Sequence, residues 1–491
     1  MPRFPLSRNV AASIAPPIPK AQAWAASYRA TADKPLLNLS QGVPGDPPHE
    51  ILRDALVKCT ADPKSAGYGP ILGEPELRRA VAREMAYVYR FDRQASGTKV
   101  LSEPDVGEEG TDAPANGARE DTGPPGWEEV AITAGCNQAF FDVMLALCES
   151  GDKVIVPVPW YFNMLMTFQI LNLTPLPLPL ASDSSFLPSV SAARALLDSP
   201  QGKNTKAIVL VTPNNPTGAT YPPALIDEFA DLARERQVAL IVDETYRDFL
   251  LPDRDDGDGD GIPDSPPGRP HTLFERRDWR DHVISLSSFS KSYKIPGHRL
   301  GMIVAGREVL QAVTKVADSI QICAPRPPQL ALTTTLPLLR ADLSATSSRI
   351  HARLALFESL ISRVRGWRVI SRGGFYAYVQ HPYLAGPSST SNNAADPAHA
   401  PEPGLPVPSE RVAELLATRC GILTLPGAFF MPLRIAPEWR ALADAGSALV
   451  EDKWIRFAIA NVSDDVVRGV PERLEMLNEI MEREYGCQVV E

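Results

Sequence analysis

The chain has 491 residues, 44% of them hydrophobic and 22% charged, with a formal net charge of −10. That length and balance describe a globular protein with one large core or two and exclude a fibrous or wholly disordered chain. The acidic surplus leaves no global basic field for nucleic acid or anionic lipid, and no apolar run approaches the ~20 residues of a membrane helix, so a soluble protein without nucleic-acid or membrane partners is expected.

The first residues carry Arg3, Arg8, Lys20 and Arg29 before the first acid, Asp33, which is the charge pattern of a transit segment. Five prolines before Lys20 oppose an amphipathic helix there, so an ordered arm over residues 1–48 is expected instead. A helix should open at Pro75, and from Val130 onward short β-branched runs alternate with helical patterns. Strands are predicted at 130–133, 153–157, 207–212, 239–243, 283–286 and 302–304, and helices at 138–147, 224–236, 309–320 and 343–364. This alternation is the signature of the α/β class, a mostly parallel sheet flanked by helices, and places a large domain at 49–340. Beyond Trp367 strands are predicted at 375–379, 422–425 and 454–458 and helices at 409–420 and 471–484, a smaller α+β C-terminal domain over 341–491.

Three stretches, 96–127, 252–271 and 386–408, are rich in Gly, Pro, Ser or acids and poor in large apolar residues, and are expected to be mobile surface inserts. The second holds Asp256, Asp258, Asp260, Gly261 and Asp264, the alternate spacing of a calcium loop, but without flanking helices or a sister loop it reads as solvated chain and no metal is expected. Six cysteines without CxxC spacing fit reduced thiols and a cytoplasmic setting.

The most informative segment is Ser288-Phe-Ser-Lys-Ser-Tyr-Lys-Ile-Pro-Gly-His-Arg-Leu-Gly301, after a predicted strand. A lysine that forms a Schiff base must be partly deprotonated, which burial and neighbouring positive charge achieve, and Arg299 offers a forked donor suited to a phosphate. Upstream, Thr212-Pro-Asn-Asn-Pro-Thr-Gly218 and Ala239-Leu-Ile-Val-Asp-Glu-Thr-Tyr246 put polar residues at the carboxyl ends of strands, where open α/β sheets bind ligands. Asp243, an acid closing an apolar strand, is costly there unless it meets a cation. Ile132-Thr-Ala-Gly-Cys-Asn-Gln-Ala139 runs from strand through glycine into helix and exposes backbone N–H groups to an anion. Arg456 lies within the apolar run Trp454–Ala460 and needs an anionic partner.

In order and spacing these motifs resemble the class I/II aminotransferases, fold-type I enzymes dependent on pyridoxal 5′-phosphate (PLP), over nearly the whole chain from about Leu36. The resemblance implies that Lys291 carries PLP as a Schiff base and acts as the catalytic base. It also implies that Asp243 keeps the ring nitrogen protonated, that Asn215 and Tyr246 bond the phenolic oxygen, and that Tyr161, after Pro159, stacks on the ring. Arg299, Ser288 and the amides of Cys136 and Asn137 would hold the phosphate, Tyr68 would reach the phosphate in a neighbouring subunit, and Gly42 and Arg456 would take the substrate α-carboxylate. The implied activity is transfer of the α-amino group of an L-amino acid to a 2-oxo acid by a homodimer. β-Elimination by a C–S lyase, or a cyclising synthase on the same fold, is the alternative.

One position departs from the family pattern. Lys294, where a small residue is usual, either brings a second amine near the site or points away. Arg326, in the run Ile322–Gln329, lies where related enzymes bring pocket residues across the subunit interface, which keeps acidic, aromatic and aliphatic substrates all open.

Overall fold

A computed structural model of the chain describes residues 4–91, 123–180, 185–250, 268–386, 403–432 and 452–490. The inserts fall largely outside these residues, and so do the acidic positions Asp256 to Asp264.

The larger core surrounds a seven-stranded sheet. Its strands are β1 (Val130–Thr133), β2 (Lys153–Val158), β3 (Thr174–Pro179), β4 (Thr205–Val211), β5 (Ala239–Asp243), β6 (Val283–Ser288) and β7 (Gly301–Val304), in the spatial order β1-β7-β6-β5-β4-β2-β3. β7 alone runs antiparallel to its neighbours, pairing with β1 and β6, and every other pairing is parallel. β4 to β7 are buried along nearly their whole length because both faces are covered, one core cluster lying on each side.

Helices α1 (Pro75–Val88), α2 (Cys136–Leu147), α3 (Phe162–Leu171) and α4 (Pro223–Arg236) precede the lysine segment. α5 (Arg307–Ile320), α6 (Arg326–Thr335) and α7 (Arg340–Ile361) follow it. Leu336 and Leu339, before α7, belong to the large-sheet core, whereas Ile350, Leu354, Phe357 and Ile361 within it belong to the second core. That second core surrounds a four-stranded antiparallel sheet of β8 (Arg368–Gly373), β9 (Tyr376–Gln380), β10 (Leu425–Pro426) and β11 (Trp454–Ala458), in the order β10-β11-β9-β8. α8 (Ser409–Leu415) and α9 (Val470–Tyr485) cover it.

Three findings differ from the sequence expectations. First, the N-terminal arm does contain a helix, Pro17–Ala26, because Pro17 and Pro19 both fall in its first turn, where no intrahelical N–H is required of them. The arm packs on α3, Asn9 Nδ2 donating to the Ile170 carbonyl and the Ile14 N–H donating to Gln169 Oε1 at 2.9 Å. Second, the prolines of Thr-Pro-Leu-Pro-Leu-Pro hid β3. They alternate with Leu176 and Leu178, and the even-numbered positions on either side, Thr174 and Leu180, donate inward to Asp152 and Val158. The missing donors therefore all lie on the outer edge, the one place a sheet tolerates them. Third, two of the expected surface inserts end inside the protein. His271 is fully buried against Glu244 and Tyr89, and Val407 is buried in the second core, since each anchors the return of its segment.

Candidate active site

The carboxyl ends of β4, β5 and β6 and the amino end of α2 open on one cavity of about 610 Å³. Lys291, Asp243, Asn215, Tyr246, Tyr161, Cys136, Asn137, Ser288, Arg299, Gly42 and Arg456 all line it. Of the expected site residues only Tyr68 does not. It is 79% exposed on the turn before α1.

Lys291 sits one turn after β6, and its Nζ donates to the Gly42 carbonyl. Burial first, then the guanidiniums of Arg456 and Arg299, lower its pKa to about 8. No acid pairs with it among the described residues.

Asp243 closes β5 and is buried, its Oδ1 accepting from the Thr245 N–H at 3.0 Å and the Thr245 hydroxyl at 2.7 Å. Burial raises its pKa, and among the described residues no lysine or arginine pairs with it. The next residue faces a different network. Glu244, fully buried, receives hydrogen bonds from Tyr89 and Ser285 and lies 3.2 Å from His271 Nε2. Burial opposes its ionisation, but His271 and Arg247 prevail and hold its pKa down to about 2. The Leu273 N–H faces the His271 Nδ1 at 3.2 Å.

Arg456, on β11 and buried, donates from Nη1 to Asn215 Oδ1 at 2.8 Å and from Nη2 to the Ser40 carbonyl. Among the described residues its Nε has no partner, and the faces of Tyr376 and Phe430 lie 4.6 and 4.9 Å from its Cζ. A buried guanidinium whose partners there are all neutral oxygens and rings could hold a carboxylate. Gly42 lies beside it because nothing larger fits, a Cβ there falling 2.0 Å from the Tyr376 hydroxyl.

At the other end of the cavity Gly135 has φ 92° and ψ 161° and turns the chain from β1 into α2, whose first residues are Cys136 and Asn137. Arg299, itself left-handed at φ 52°, lays its guanidinium over that glycine and donates to the Pro296 carbonyl at 3.0 Å. It has no carboxylate partner among the described residues, so the helix amides and a free cation face the same space, an anion cradle. The Ser288 hydroxyl accepts the Ser290 N–H at 3.2 Å and borders that space. Tyr161 caps the start of α3 beside the cavity, whereas its neighbour Trp160 is core.

Lys294 points away. Its Nζ is 2.9 Å from Asp342 Oδ2, at the start of α7, and it does not line the cavity. Arg326 is likewise committed, its Nε donating to Glu74 Oε1 at 2.5 Å and its Nη1 to the Lys64 carbonyl at 2.6 Å. Several lining groups were not singled out from sequence, namely Ile18, Gln41, Thr245 and Tyr376. Tyr376 follows the Gly373-Gly374 turn in an alternating aromatic strand, a pattern that reads as core packing.

The mixed seven-stranded sheet, with Lys291, Asp243 and Arg299 lining one cavity at its carboxyl edge, has the fold of the fold-type I aminotransferases. The chain belongs to the class I and II aminotransferase family, whose model matches residues 125–474, and it is an aminotransferase. Members of that family use pyridoxal phosphate. An aspartate aminotransferase of Sulfurisphaera tokodaii is 23% identical over 449 residues, 91% of each chain. An aromatic aminotransferase, ISS1, of Arabidopsis thaliana is 28% identical over 59% of this chain and 60% of its own length. Among solved structures, substrate-bound BacF of Bacillus subtilis superposes with a TM-score of 0.71 at 20% identity, covering 97% of this chain and 98% of that one. Thermus thermophilus aspartate aminotransferase with maleate gives 0.69 at 22%, covering 96% and 100%. Among the described residues no helix is long and apolar enough to cross a membrane.

Proposed function

We propose that the chain transfers the α-amino group of an L-amino acid to a 2-oxo acid with PLP bound in this cavity. The observation that carries the reading is the set of three buried or half-buried ions, Lys291, Asp243 and Arg456, that share the cavity without an opposite charge of their own among the described residues. Their unmet needs are those of an aldehyde, a pyridinium and a carboxylate. When bound, the cofactor supplies an aldehyde that links to amines and a ring that accepts the electron pair left as a proton leaves the α-carbon.

The protein's own groups divide the remaining work. With its pKa at about 8, Lys291 is neutral in roughly one molecule in ten at pH 7, so its amine would be able to hold the cofactor's aldehyde group and to take and return a proton at the substrate α-carbon. The Asp243 carboxylate would keep the ring nitrogen protonated, and Asn215 and Tyr246 would bond the phenolic oxygen. Tyr161 would lie against the ring, while Arg299, Ser288 and the amides of Cys136 and Asn137 would hold the phosphate. Arg456 would fix the α-carboxylate with both nitrogens, with Gly42 leaving room for it. We further propose a cytoplasmic homodimer in which the exposed Tyr68 reaches the partner's phosphate site.

The test is a half-reaction. PLP-loaded protein mixed with single L-amino acids and no oxo acid should release at most one 2-oxo acid per subunit and then stop, and a second oxo acid should restart it. Continuous release of ammonia and pyruvate would instead establish β-elimination.

A further inference from the structure

Tyr376 joins two parts of the site that are otherwise separate. It lies on β9, diagonal to Arg456 on β11 and on the same face of that sheet, so its ring meets the guanidinium at 4.6 Å. Its hydroxyl is 2.5 Å from the hydroxyl of Tyr246, at the end of the large sheet, and both residues are buried. Two buried phenols sharing one short hydrogen bond must decide which of them donates. Tyr376 is the one beside a cation, and a positive neighbour makes a phenol more acidic and so the better donor. Burial raises both pKa values; Arg456 counters the rise at both, ranking next after burial at Tyr376 and last among the causes at Tyr246, and the shared hydrogen bond lowers Tyr376 while it raises Tyr246.

We propose that Tyr376 is a positioning residue that donates its hydroxyl proton to the Tyr246 oxygen, freeing the Tyr246 proton to point at the cofactor's phenolic oxygen. This rests on the PLP reading above. A phenol that accepts one hydrogen bond is a stronger donor in the next. Tyr376 thereby makes Tyr246 draw more negative charge from the phenolic oxygen, and the nitrogen that links Lys291 to the cofactor releases its proton at lower pH.

The experiment is an absorbance titration of PLP-loaded protein against pH, with no substrate present. In Tyr376→Phe the ring stays under Arg456 and only the donated proton is lost. The midpoint should rise by about half a unit to one unit, the size expected for one net hydrogen bond. Tyr246→Phe should raise it by at least as much, and Tyr376→Phe should add nothing in that background, because its effect travels through Tyr246. Tyr378→Phe is the control. Tyr378 lies two residues along the same strand, and its buried hydroxyl has no hydrogen-bond partner among the described residues, so the midpoint should not move. An unchanged midpoint in Tyr376→Phe, or the same rise with and without Tyr246, overturns the proposal. A wild-type protein that shows no pH-dependent band with PLP overturns the functional reading and this inference with it. Thermal melting of the apoproteins shows that each variant is folded before it is titrated.

Discussion

Gly135 holds a backbone conformation, φ 92° and ψ 161°, that is open to glycine and almost closed to other residues. A Cβ placed there would lie 2.3 Å from Arg299 Nη2 and 3.0 Å from its Cζ. Gly135→Ala therefore does two separable things. Backbone strain should cost the apoprotein about 1–3 kcal/mol, seen as a lower melting temperature. Relief of the clash requires the guanidinium to retreat by about 1 Å, enough to spoil a charge-assisted bond to a phosphate held between it and the amides of α2. Such a bond is worth about 1.5–3 kcal/mol, so PLP affinity should fall roughly 10- to 150-fold. Arg299→Gln should lose affinity to a similar degree without the melting penalty, since among the described residues the guanidinium pairs with no carboxylate. The assay is equilibrium titration of each apoprotein with PLP, followed by absorbance, beside a thermal melt. Affinity within twofold of wild type in Gly135→Ala would refute the placement of Arg299 as the phosphate anchor over that glycine.

Lys291→Met should stabilise the apoprotein at pH 7 by about 1–3 kcal/mol. Because the folded pKa is lowered to about 8, the cost of the buried ammonium is full below pH 8 and fades as pH rises from there toward 10.5, so the two melting curves should converge in alkali. Asp142, fully buried on α2, has its pKa raised to about 7 by burial, which the nearby Gln138 side chain only partly offsets. The folded state therefore binds the extra proton, and stability should fall as pH climbs from about 4 to 7. Asp142→Asn should flatten that slope and melt higher at pH 8, and a variant that keeps the slope would exonerate this carboxyl. Arg456→Lys replaces a forked donor by a point charge and strands Asn215, so kcat/KM should drop about 100-fold or more, with KM for the amino acid carrying much of the loss. Equal KM values in both proteins would place the α-carboxylate elsewhere.

The chemistry was legible where a residue type is expensive in its local setting. Asp243 at the end of an apolar strand, Arg456 inside one and Lys291 after another each announce a missing partner, and the cavity gathers all three. Glycine-marked turns made the cradle readable for the same reason, since Gly135 occupies a conformation only it tolerates. What stayed hidden were groups whose sequence signal is that of ordinary packing. Tyr376 alternates with Tyr378 as any half-buried strand does, and its link to Tyr246 depends on two sheets meeting across 130 positions of sequence. α3 reads Phe-Asn-Met-Leu-Met-Thr-Phe-Gln-Ile-Leu, apolar on nearly every side, because the sheet lies on one face and the N-terminal arm on the other, so no helical stripe survives to be recognised. Ile18 reaches the cavity from a helix that its own prolines argued against. Lys294, left open between approaching the site and pointing away, turns out to be a tie to Asp342.

The prolines of β3 carry a consequence for the protein's life in concentrated solution. Along the margin of the sheet, where β3 is the outermost strand among the described residues, positions 175, 177 and 179 present carbonyls but no N–H groups. A second chain arriving with an exposed strand finds acceptors to meet its donors and nothing to meet its acceptors, and two copies approaching edge to edge face each other oxygen against oxygen. A sheet whose inner strands are almost wholly buried is thus closed to runaway pairing at that end, by three side chains that cannot be improved as strand formers without opening it.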